Sequence, residues 1–236
     1  WNVAQPVTVT AADDMTVDGP VTSTVTVSVN DASSDNAWDP LADKTITVAN
    51  QDNDAPGFAL SKTAATVSEH GTTDNFTVVL TARPVSAVVF DVARGNPGEV
   101  DVSETWLMFT PDNWNVPREV TLFGLDDSPP MVDGNQTATV TVAVNDAFSN
   151  HLWQSVPDQV LTVINLDDDT AGFTLWPAEP LVTREDGASA QFSLKLNSQP
   201  TADVTVLVSN TNPDEGEAQP TTLSFTPANW AQEQWV

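Results

Sequence analysis

Two acidic runs placed 115 residues apart limit what this chain can fold into. Asn50-Gln-Asp-Asn-Asp54 and Asn165-Leu-Asp-Asp-Asp169 share a pattern, and a Gly-Phe pair follows each run, at Gly57 and Gly172. Recurrence at one long spacing is typical of tandem domains. The 236 residues therefore predict about two domain equivalents of one fold, and a unit of roughly 115 residues can bury its own core.

With each Gly-Phe pair taken as the start of a unit, the chain divides into three segments. Residues 1–56 match the C-terminal half of a β-sandwich repeat, residues 57–171 a complete repeat, and residues 172–236 an N-terminal half. The two halves add up to one repeat, so we expect head-to-tail association between chains or continuation in a longer filament. The columns that support this register are Trp1, Trp114 and Trp230; Asp13-Asp14 and Asp126-Asp127; Asp18 and Asp133; Trp38 and Trp153; and Glu69 and Glu185.

The complete repeat is rich in runs where Val, Ile, Leu or Phe alternates with Thr or Ser. Such period-two runs, bounded by Gly, Pro, Asn and Asp, predict β-strands, and no helical periodicity is present. About seven strands per repeat favour an all-β chain of tandem immunoglobulin-like antiparallel sandwiches. The predicted strands cover residues 58–68, 75–82, 87–94, 105–110, 117–124, 136–145 and 159–165.

Alternate loops of such a sandwich gather at opposite ends, because successive strands run in opposite directions. The end reached by the first, third and fifth loops and by the exit of the last strand is called here the far end, and the opposite one the near end. The near end is expected to hold Arg83-Pro84, the turn with Trp114 and the segment with Trp153, so each seam sets carboxylates against a neighbour's near-end loops. Acidic residues expected at the far end are Glu69, Glu99, Asp101, Glu104, Asp126, Asp127, Asp133, Asp167, Asp168 and Asp169.

The charge balance indicates what these carboxylates bind. The chain has 33 Asp and Glu against 7 Lys and Arg, for a net charge of −26, which repels nucleic acid and anionic lipid. Like charges about 5 Å apart repel by roughly 3 kcal/mol at an effective dielectric near 20, and too few basic residues exist to neutralise them. Hard divalent cations with six to eight oxygen ligands, calcium above all, are the expected counter-charge.

The predicted calcium ligands follow the repeat. In the complete repeat they are Glu69, Asp101, Asp126, Asp127, Asp133, Asp167, Asp168 and Asp169; in the flanking segments they are Asp13, Asp14, Asp18, Asp52, Asp54 and Glu185. The alternative is an acidic surface adapted to salt water, which would not explain why acid recurs at the same loops. Asp31 and Asp146 recur at the near end, where they either cap turns or complete the preceding repeat's site.

The same residues resemble the Calx-beta family, the calcium-binding sandwich of sodium–calcium exchangers and of many large bacterial surface proteins. The resemblance rests on Val67-Ser-Glu69-His-Gly71, the Asp126-Asp127 pair, Asp133-Gly134 and Asp167-Asp-Asp169, with Val182–Gly187 as a second first loop. It implies that the early Glu, the middle Asp pair and the closing Asp run ligate calcium. Phe109–Trp114 and Phe225–Trp230 are similar to an element of long bacterial adhesins. Asn53 departs from the pattern, as does the third-loop acid, which shifts from Asp101 to Glu217.

Composition argues against catalysis and against membrane insertion. Cys and Tyr are absent, and His70 and His151, the only histidines, correspond to Asp186 and Ala37, so we expect no enzyme. No apolar run reaches the length of a membrane span. Repetition favours an extracellular, cell-surface spacer or filament segment that calcium stiffens, with neighbouring repeats as its partners.

The alternative function is an adhesion module that binds carbohydrate or another surface through exposed tryptophans. Indole rings stack on sugars, which is why the tryptophans are relevant. We expect Trp38, Trp114, Trp153 and Trp230 to be packing anchors of the near-end loops. Trp106, Trp176 and Trp235 have no Trp counterpart and are expected to be exposed.

Overall fold

The computed structural model describes residues 2–236, so the predicted alignment of Trp1 lies outside the described residues. Two short 3₁₀ helices, Asp31–Ser33 and His151–Trp153, accompany the strands. In the described part of the chain no helix is long and apolar enough to cross a membrane. The strands, numbered along the chain, are β1 Thr16–Val17, β2 Val21–Val27, β3 Lys44–Asn50, β4 Phe58–Leu60, β5 Ala64–Ser68, β6 Thr73–Leu80, β7 Arg83–Pro84, β8 Val88–Arg94, β9 Val100–Val102, β10 Trp106–Phe109, β11 Arg118–Gly124, β12 Gln136–Val144, β13 Gln159–Leu166, β14 Phe173–Trp176, β15 Ser193–Leu196, β16 Val204–Leu207, β17 Thr222–Phe225 and β18 Gln234–Trp235.

Residues 57–171, the central segment, form a sandwich of two sheets. One sheet has the order β10-β8-β12-β13-β5 and the other β4-β6-β11-β9. Every pairing within them is antiparallel except β5 with β13, which is parallel. The prediction of an all-β sandwich is confirmed.

Alternating side chains of both sheets fill the core of this sandwich. Phe90 lies between Phe58 and Phe109, with ring centroids 4.7 and 5.9 Å away in edge-to-face geometry, an arrangement that aromatic pairs favour. Trp153 is fully buried and packs in the same core. The 3₁₀ helix that carries Trp153 therefore closes the near end of the sandwich, as the sequence predicted for this residue.

The predicted first strand, residues 58–68, is two strands rather than one. The Ser61 amide still donates to Thr77 of β6 (3.0 Å), whereas the Thr63 carbonyl already accepts from Thr162 of β13 (3.0 Å). The chain thus changes sheets at Lys62, and β5 pairs with β13 in parallel, which corrects the expectation of a purely antiparallel sandwich. One extended segment can thereby cover an edge of each sheet, which protects both edges.

The predicted third loop contains a short strand, β9, that the sequence pattern did not indicate. Its residues pair with β11 from Val100↔Gly124 to Val102↔Leu122. Val100 and Val102 are buried, and Asp101 between them is half-buried on the outer face of the sheet. Asp101 is therefore a strand residue and not a loop residue.

Residues 2–56, the first segment, and residues 172–236, the third segment, each contain fewer strands. The first segment has a hairpin of β2 and β3, paired from Val21↔Asn50 to Val27↔Lys44. The third segment has the sheet β14-β15-β18 and the pair β16-β17. A small separate core lies in the third segment, formed by Leu194, Leu196, Leu223 and Phe225.

The same contact joins the central segment to each of its neighbours. The Arg83 amide donates to the Met15 carbonyl (2.7 Å), and β1 pairs in parallel with β7. At the other end the Gln199 amide donates to the Pro130 carbonyl (2.7 Å), and Met131 forms a parallel bridge to Gln199. Both contacts place a far-end loop of one segment against the near-end turn of the next.

Candidate metal centre

Three turns meet at the far end of the central segment. The parallel pairing of β5 with β13 makes both strands end side by side, and the Glu69 amide donates to the Leu166 carbonyl (3.0 Å). Glu69 therefore lies next to the Asp167–Asp169 run, which leaves β13. The loop that follows β11 brings Asp126, Asp127 and Asp133 to the same place.

Glycine allows these turns to approach one another. Gly71 adopts a positive φ of 80° in the turn after Glu69, which other residues adopt only at a cost. Gly124 ends β11, and a Cβ there would lie 2.2 Å from the Ser68 carbonyl oxygen and 2.8 Å from Asn165 Oδ1. The backbones of β5 and β11 could not pass this closely with a larger residue at position 124.

Glu69 is the centre of the carboxylate cluster. Its carboxylate belongs to three groups of three residues each. Within each group, one oxygen from every residue lies within 4.8 Å of the other two. The first group adds Asp167 and Asp169, the second Asp126 and Asp168, and the third Asp127 and Asp133. The structure thus brings together seven of the eight ligands predicted for the complete repeat.

Several oxygens of this cluster are buried without a hydrogen-bond partner. They are both carboxylate oxygens of Glu69, Oδ2 of Asp127 and Oδ2 of Asp169, and Glu69 is only 4% exposed. A buried charge without a partner costs several kcal/mol, so native proteins pair such groups or use them to coordinate metals. These orphaned oxygens point to a cation that they would coordinate.

The carboxylates also raise one another's pKa values. Burial, and then the nearby charges of Asp127 and Asp167, raise the pKa of Glu69 from 4.5 to about 7. The Asp168 amide lies close enough to oppose this rise but makes no hydrogen bond to Glu69 within normal geometry. Burial also raises the pKa of Asp127, helped by Asp133 and Glu99. Without a bound cation, the site therefore favours the protonated forms of Glu69 and Asp127 over their charged forms.

Asp169 and Asp167 have different surroundings in the same cluster. Burial is the main cause that raises the pKa of Asp169. Asp167 instead organises the backbone, since its Oδ2 accepts from the Gly134 amide (2.7 Å) and its Oδ1 from the Asp169 amide (2.8 Å). Asp167 thus ties the loop after β11 to the exit of β13.

Asn165 is a residue of the candidate site that the sequence analysis did not select. It is fully buried, and its Nδ2 donates to the Leu125 carbonyl (2.8 Å) and to Glu99 Oε2 (3.1 Å). It therefore holds the start of the ligand loop and orients a further carboxylate beside the cluster. Its signal was present in the sequence, because Asn50 and Asn165 open the two acidic runs.

Asp101 of the complete repeat and Glu185 of the third segment are predicted ligands that lie outside the cluster. Asp101 faces the outside of its sheet and forms an ion pair with Arg94, because β9 alternates two buried valines around it. Glu185 is exposed in a turn closed by a bridge between Arg184 and Ala188, and among the described residues it joins no carboxylate group of three.

The acidic residues of the first segment repeat part of this geometry. Asp52 Oδ2 accepts from the Gly19 amide (2.7 Å) and its Oδ1 from the Asp54 amide (2.8 Å), as Asp167 does in the central segment. These amides, that of Asp54 first, hold the pKa of Asp52 below its ordinary value.

The other acids of this segment surround Asp54. Burial first, and then repulsion from Asp52 and Asp13, raise the pKa of Asp54, with smaller contributions from Asp14 and Asp18. Within residues 2–236, Asp13, Asp14, Asp18, Asp52 and Asp54 belong to no group of three with oxygens within 4.8 Å. No counterpart of Glu69 lies among residues 2–56. These carboxylates therefore lack the central glutamate that all three groups of the central segment share.

The tryptophans divide largely as the repeat predicts. Trp153 is buried and Trp114 and Trp230 pack against the two cores, whereas Trp106, Trp176 and Trp235 are exposed. Trp38 differs from its counterpart Trp153, since it is 59% exposed. It has no sandwich to pack against in the first segment.

Comparisons with known proteins give similarity only at the level of structure. No protein-family model and no curated protein sequence matches this chain. The apo-form Calx CBD1 domain is 16% identical, with 49% of this chain and all of that chain covered and a TM-score of 0.36. The CBD12 structure from CALX1.2 is 17% identical, covering 76% of this chain and 74% of that one, with a TM-score of 0.35.

A chaperone structure shows a similar level of likeness. The E. coli chaperone DraB is 8% identical, with 75% of this chain and 84% of that chain covered and a TM-score of 0.34. None of these similarities assigns the chain to a family.

Proposed function

We propose that this chain is a calcium-binding structural repeat: a spacer in a large extracellular protein whose sandwiches are stiffened where far-end loops meet the next repeat. The observation that carries the proposal is the set of buried, unpartnered oxygens on Glu69, Asp127 and Asp169. Calcium accepts six to eight such oxygens in irregular geometry. The bound ion would supply positive charge, and no chemical step is required of it.

The ligand set fits calcium better than other biological cations. All seven clustered side chains are carboxylates, which are hard oxygen ligands, and neither Cys nor a buried His belongs to the cluster. Magnesium demands nearly octahedral geometry and retains water, whereas three converging turns offer a crowded shell. Seven carboxylates exceed the charge of one calcium ion, and Glu69 would be a ligand in each of the three groups.

Calcium binding would affect the seam because one loop has two roles. The loop between β11 and β12 contributes Asp126, Asp127 and Asp133, and between these ligands Pro130 and Met131 contact Gln199 of the third segment. An ion that orders this loop would also order the contact with the next segment. Stiffness along a row of repeats would follow from calcium at each seam.

An extracellular location agrees with this chemistry. Calcium sites of extracellular modules have dissociation constants of about 10⁻⁴–10⁻³ M. Sites of this affinity, built from loops rich in Asp, would hold calcium at the concentrations found outside cells. Cys is absent, so oxygen ligands would take the role that disulfides have in many secreted domains.

A test compares the chain in calcium and in EDTA. We expect EDTA to lower the melting temperature and to increase interdomain flexibility in small-angle scattering, since calcium at 100 times its dissociation constant stabilises by about 2.7 kcal/mol. Asp127→Asn should remove most of the calcium effect, whereas Asp101→Asn, which changes an acid outside the cluster, should retain it. Identical melting and scattering of the wild type in both conditions would refute the proposal.

A second candidate function is surface adhesion by aromatic residues. Trp176 and Trp235 are both exposed. Their ring centroids lie 6.0 Å apart in edge-to-face geometry. Such a pair could stack on a sugar ring. Retention of the chain on a glycan array, lost in Trp176→Ala, would favour adhesion over a purely structural role.

A further inference from the structure

The outer face of the five-stranded sheet in the central segment carries a groove. It lies where β8, β10 and β12 run side by side, with Trp106 directly opposite Asp91 and Met108 opposite Val89. Trp106 is 55% exposed, and Phe148 on the rim is 71% exposed. The groove has a volume of ≈ 520 Å³, within the range of about 300–1,000 Å³ that small-molecule sites occupy.

The groove belongs wholly to the central sandwich. Every residue that lines it lies on or next to strands β8, β10 and β12, which are paired in one sheet. The neighbouring segments contact the central segment at Arg83 and at Pro130. No described residue of either neighbour lines the groove, so neither seam uses this surface.

The side chains that give the groove its character occur in one copy of the repeat only. At the repeat positions of its Trp, Met and Phe, the flanking segments have small hydroxyl residues, and Asp91 corresponds to Leu207. The matched pairs are Trp106 and Thr222, Met108 and Ser224, and Phe148 and Ser33. Residues that pack the fold or join repeats would recur with the repeat. An exposed apolar patch that does not recur instead indicates a binding surface.

Asp91 is the only charged residue that lines the groove, and the structure fixes its orientation. Asn145 Nδ2 donates to both carboxylate oxygens of Asp91 (3.1 and 2.9 Å). The backbone amide of Asn145 donates to the Val89 carbonyl (2.8 Å), and that of Phe148 donates to the Asn145 carbonyl (3.2 Å). The carboxylate and the rim are therefore ordered before a ligand binds, which lowers the entropic cost of binding.

We propose that this groove binds a neutral sugar chain, with Trp106 as the stacking platform and Asp91 as the acceptor of sugar hydroxyl groups. One face of a hexose ring consists of C–H groups that pack on an indole, and its neighbouring hydroxyls donate to the two oxygens of a carboxylate. Trp106 and Asp91 are a directly opposed cross-strand pair, whose Cβ atoms lie about 4.5–5.5 Å apart in such sheets. One sugar unit can therefore contact both side chains.

The charges of the groove select among ligand classes. It contains a carboxylate and no basic residue, in a chain of net charge −26, so it repels acidic sugars, nucleic acid and anionic lipid. A cationic peptide is the competing ligand. The groove offers it only one carboxylate, and an exposed ion pair contributes at most about 1 kcal/mol. No groove residue belongs to the Glu69 cluster, so the proposal does not rest on the calcium function.

The test is retention of the intact 236-residue chain on an array of neutral oligosaccharides of glucose, galactose and mannose, with hyaluronan as the acidic contrast, in calcium and in EDTA. We expect retention on at least one neutral series in both buffers and none on hyaluronan. No retention on any neutral glycan would overturn the proposal, and so would retention that disappears in EDTA, because the sugar would then bind through the cation. Identical melting in both buffers would remove the calcium function and leave this proposal standing.

Variants of the retained chain locate the site. We expect Trp106→Ala to weaken binding of the retained glycan at least about tenfold in titrations, as truncation of an anchoring aromatic does, without a change in melting temperature. Asp91→Asn, which keeps the shape of the side chain, should also weaken binding. Phe123→Ala, which removes an exposed aromatic from the other sheet, is the matched control and should bind as the wild type does. Unchanged binding by Trp106→Ala, or loss of binding in Trp176→Ala instead, would overturn the proposal.

A tetralysine peptide serves as the probe for the competing ligand. We expect it to bind more weakly than the retained glycan, whose own affinity should not change between low salt and about 0.5 M salt, since no ion pair is involved. Tighter binding of the peptide than of any neutral glycan, lost in high salt and in Asp91→Asn, would overturn the sugar site in favour of a cationic partner.

Discussion

The variant Glu69→Gln separates two effects of the buried carboxylate: its charge destabilises the calcium-free fold, and it is a proposed calcium ligand. The folded chain raises the pKa of Glu69 from 4.5 to about 7, chiefly by burial. The unfolded chain releases this proton at lower pH, so the folded state loses stability as the pH rises from about 4.5 through about 7. The difference corresponds to about 3 kcal/mol above pH 7, at roughly 1.4 kcal/mol for each tenfold change.

Glu69→Gln should therefore stabilise the calcium-free chain at pH 8, by up to about 3 kcal/mol, because the amide carries no charge. At pH 4.5 the variant and the wild type should be nearly equally stable. In calcium the order should reverse, since the variant loses a ligand shared by all three carboxylate groups.

The assay is hydrogen exchange of the β13 amides in EDTA, which reports the stability of the central sandwich rather than of the flanking segments. Urea unfolding followed by circular dichroism gives an independent value. Glu119→Gln, which neutralises an exposed acid on β11, is the control and should change neither the stability nor its pH dependence by more than about 0.5 kcal/mol. A destabilised Glu69→Gln at pH 8 in EDTA, or a pH dependence equal to that of the wild type, would refute the reasoning.

Three further predictions concern the same end of the sandwich. Gly124→Ala should destabilise the chain by about 1–3 kcal/mol in urea unfolding, because its Cβ would meet the Ser68 carbonyl at 2.2 Å; an unchanged midpoint would contradict the close approach. Asn165→Leu should cost about 1–3 kcal/mol by the same measurement, since the Leu125 carbonyl loses the hydrogen bond from the buried Asn165 side chain; an unchanged midpoint would contradict this role of Asn165. Calcium affinity should fall about tenfold from pH 8 to pH 6 in calorimetric titrations, because protons compete at Glu69 below its pKa of about 7; a flat profile would exclude Glu69 as a ligand.

The sequence predicts the sandwich and the meeting of the acidic turns for a simple reason. Period-two runs identify strands, and the alternation of strand direction assigns each loop to an end without any knowledge of side-chain contacts. Glu69, Asp127 and Asp169 meet as that rule requires. The rule needs only the order of the strands.

The details that sequence reasoning missed depend on tertiary contacts. The change of sheets at Lys62 has no Gly or Pro to indicate it, and it is decided by hydrogen bonds to β6 on one side and β13 on the other. Asp101 was misplaced because a three-residue strand leaves too short a pattern to reveal which face it presents. Asn50 and Asn165 recur at the start of the acidic runs, but the hydrogen bonds of Asn165 to Leu125 and Glu99 depend on tertiary contacts that the local pattern cannot specify.

The most direct test of calcium at the far end is a calorimetric titration of the chain with calcium at pH 8, with magnesium as a second titrant. The carboxylate cluster predicts saturable calcium binding with a dissociation constant at or below about 10⁻³ M, weaker magnesium binding, and loss of the tightest calcium site in Asp127→Asn. No saturable heat up to about ten times that concentration, or an unchanged titration of Asp127→Asn, would contradict a calcium site built on Glu69, Asp127 and Asp169.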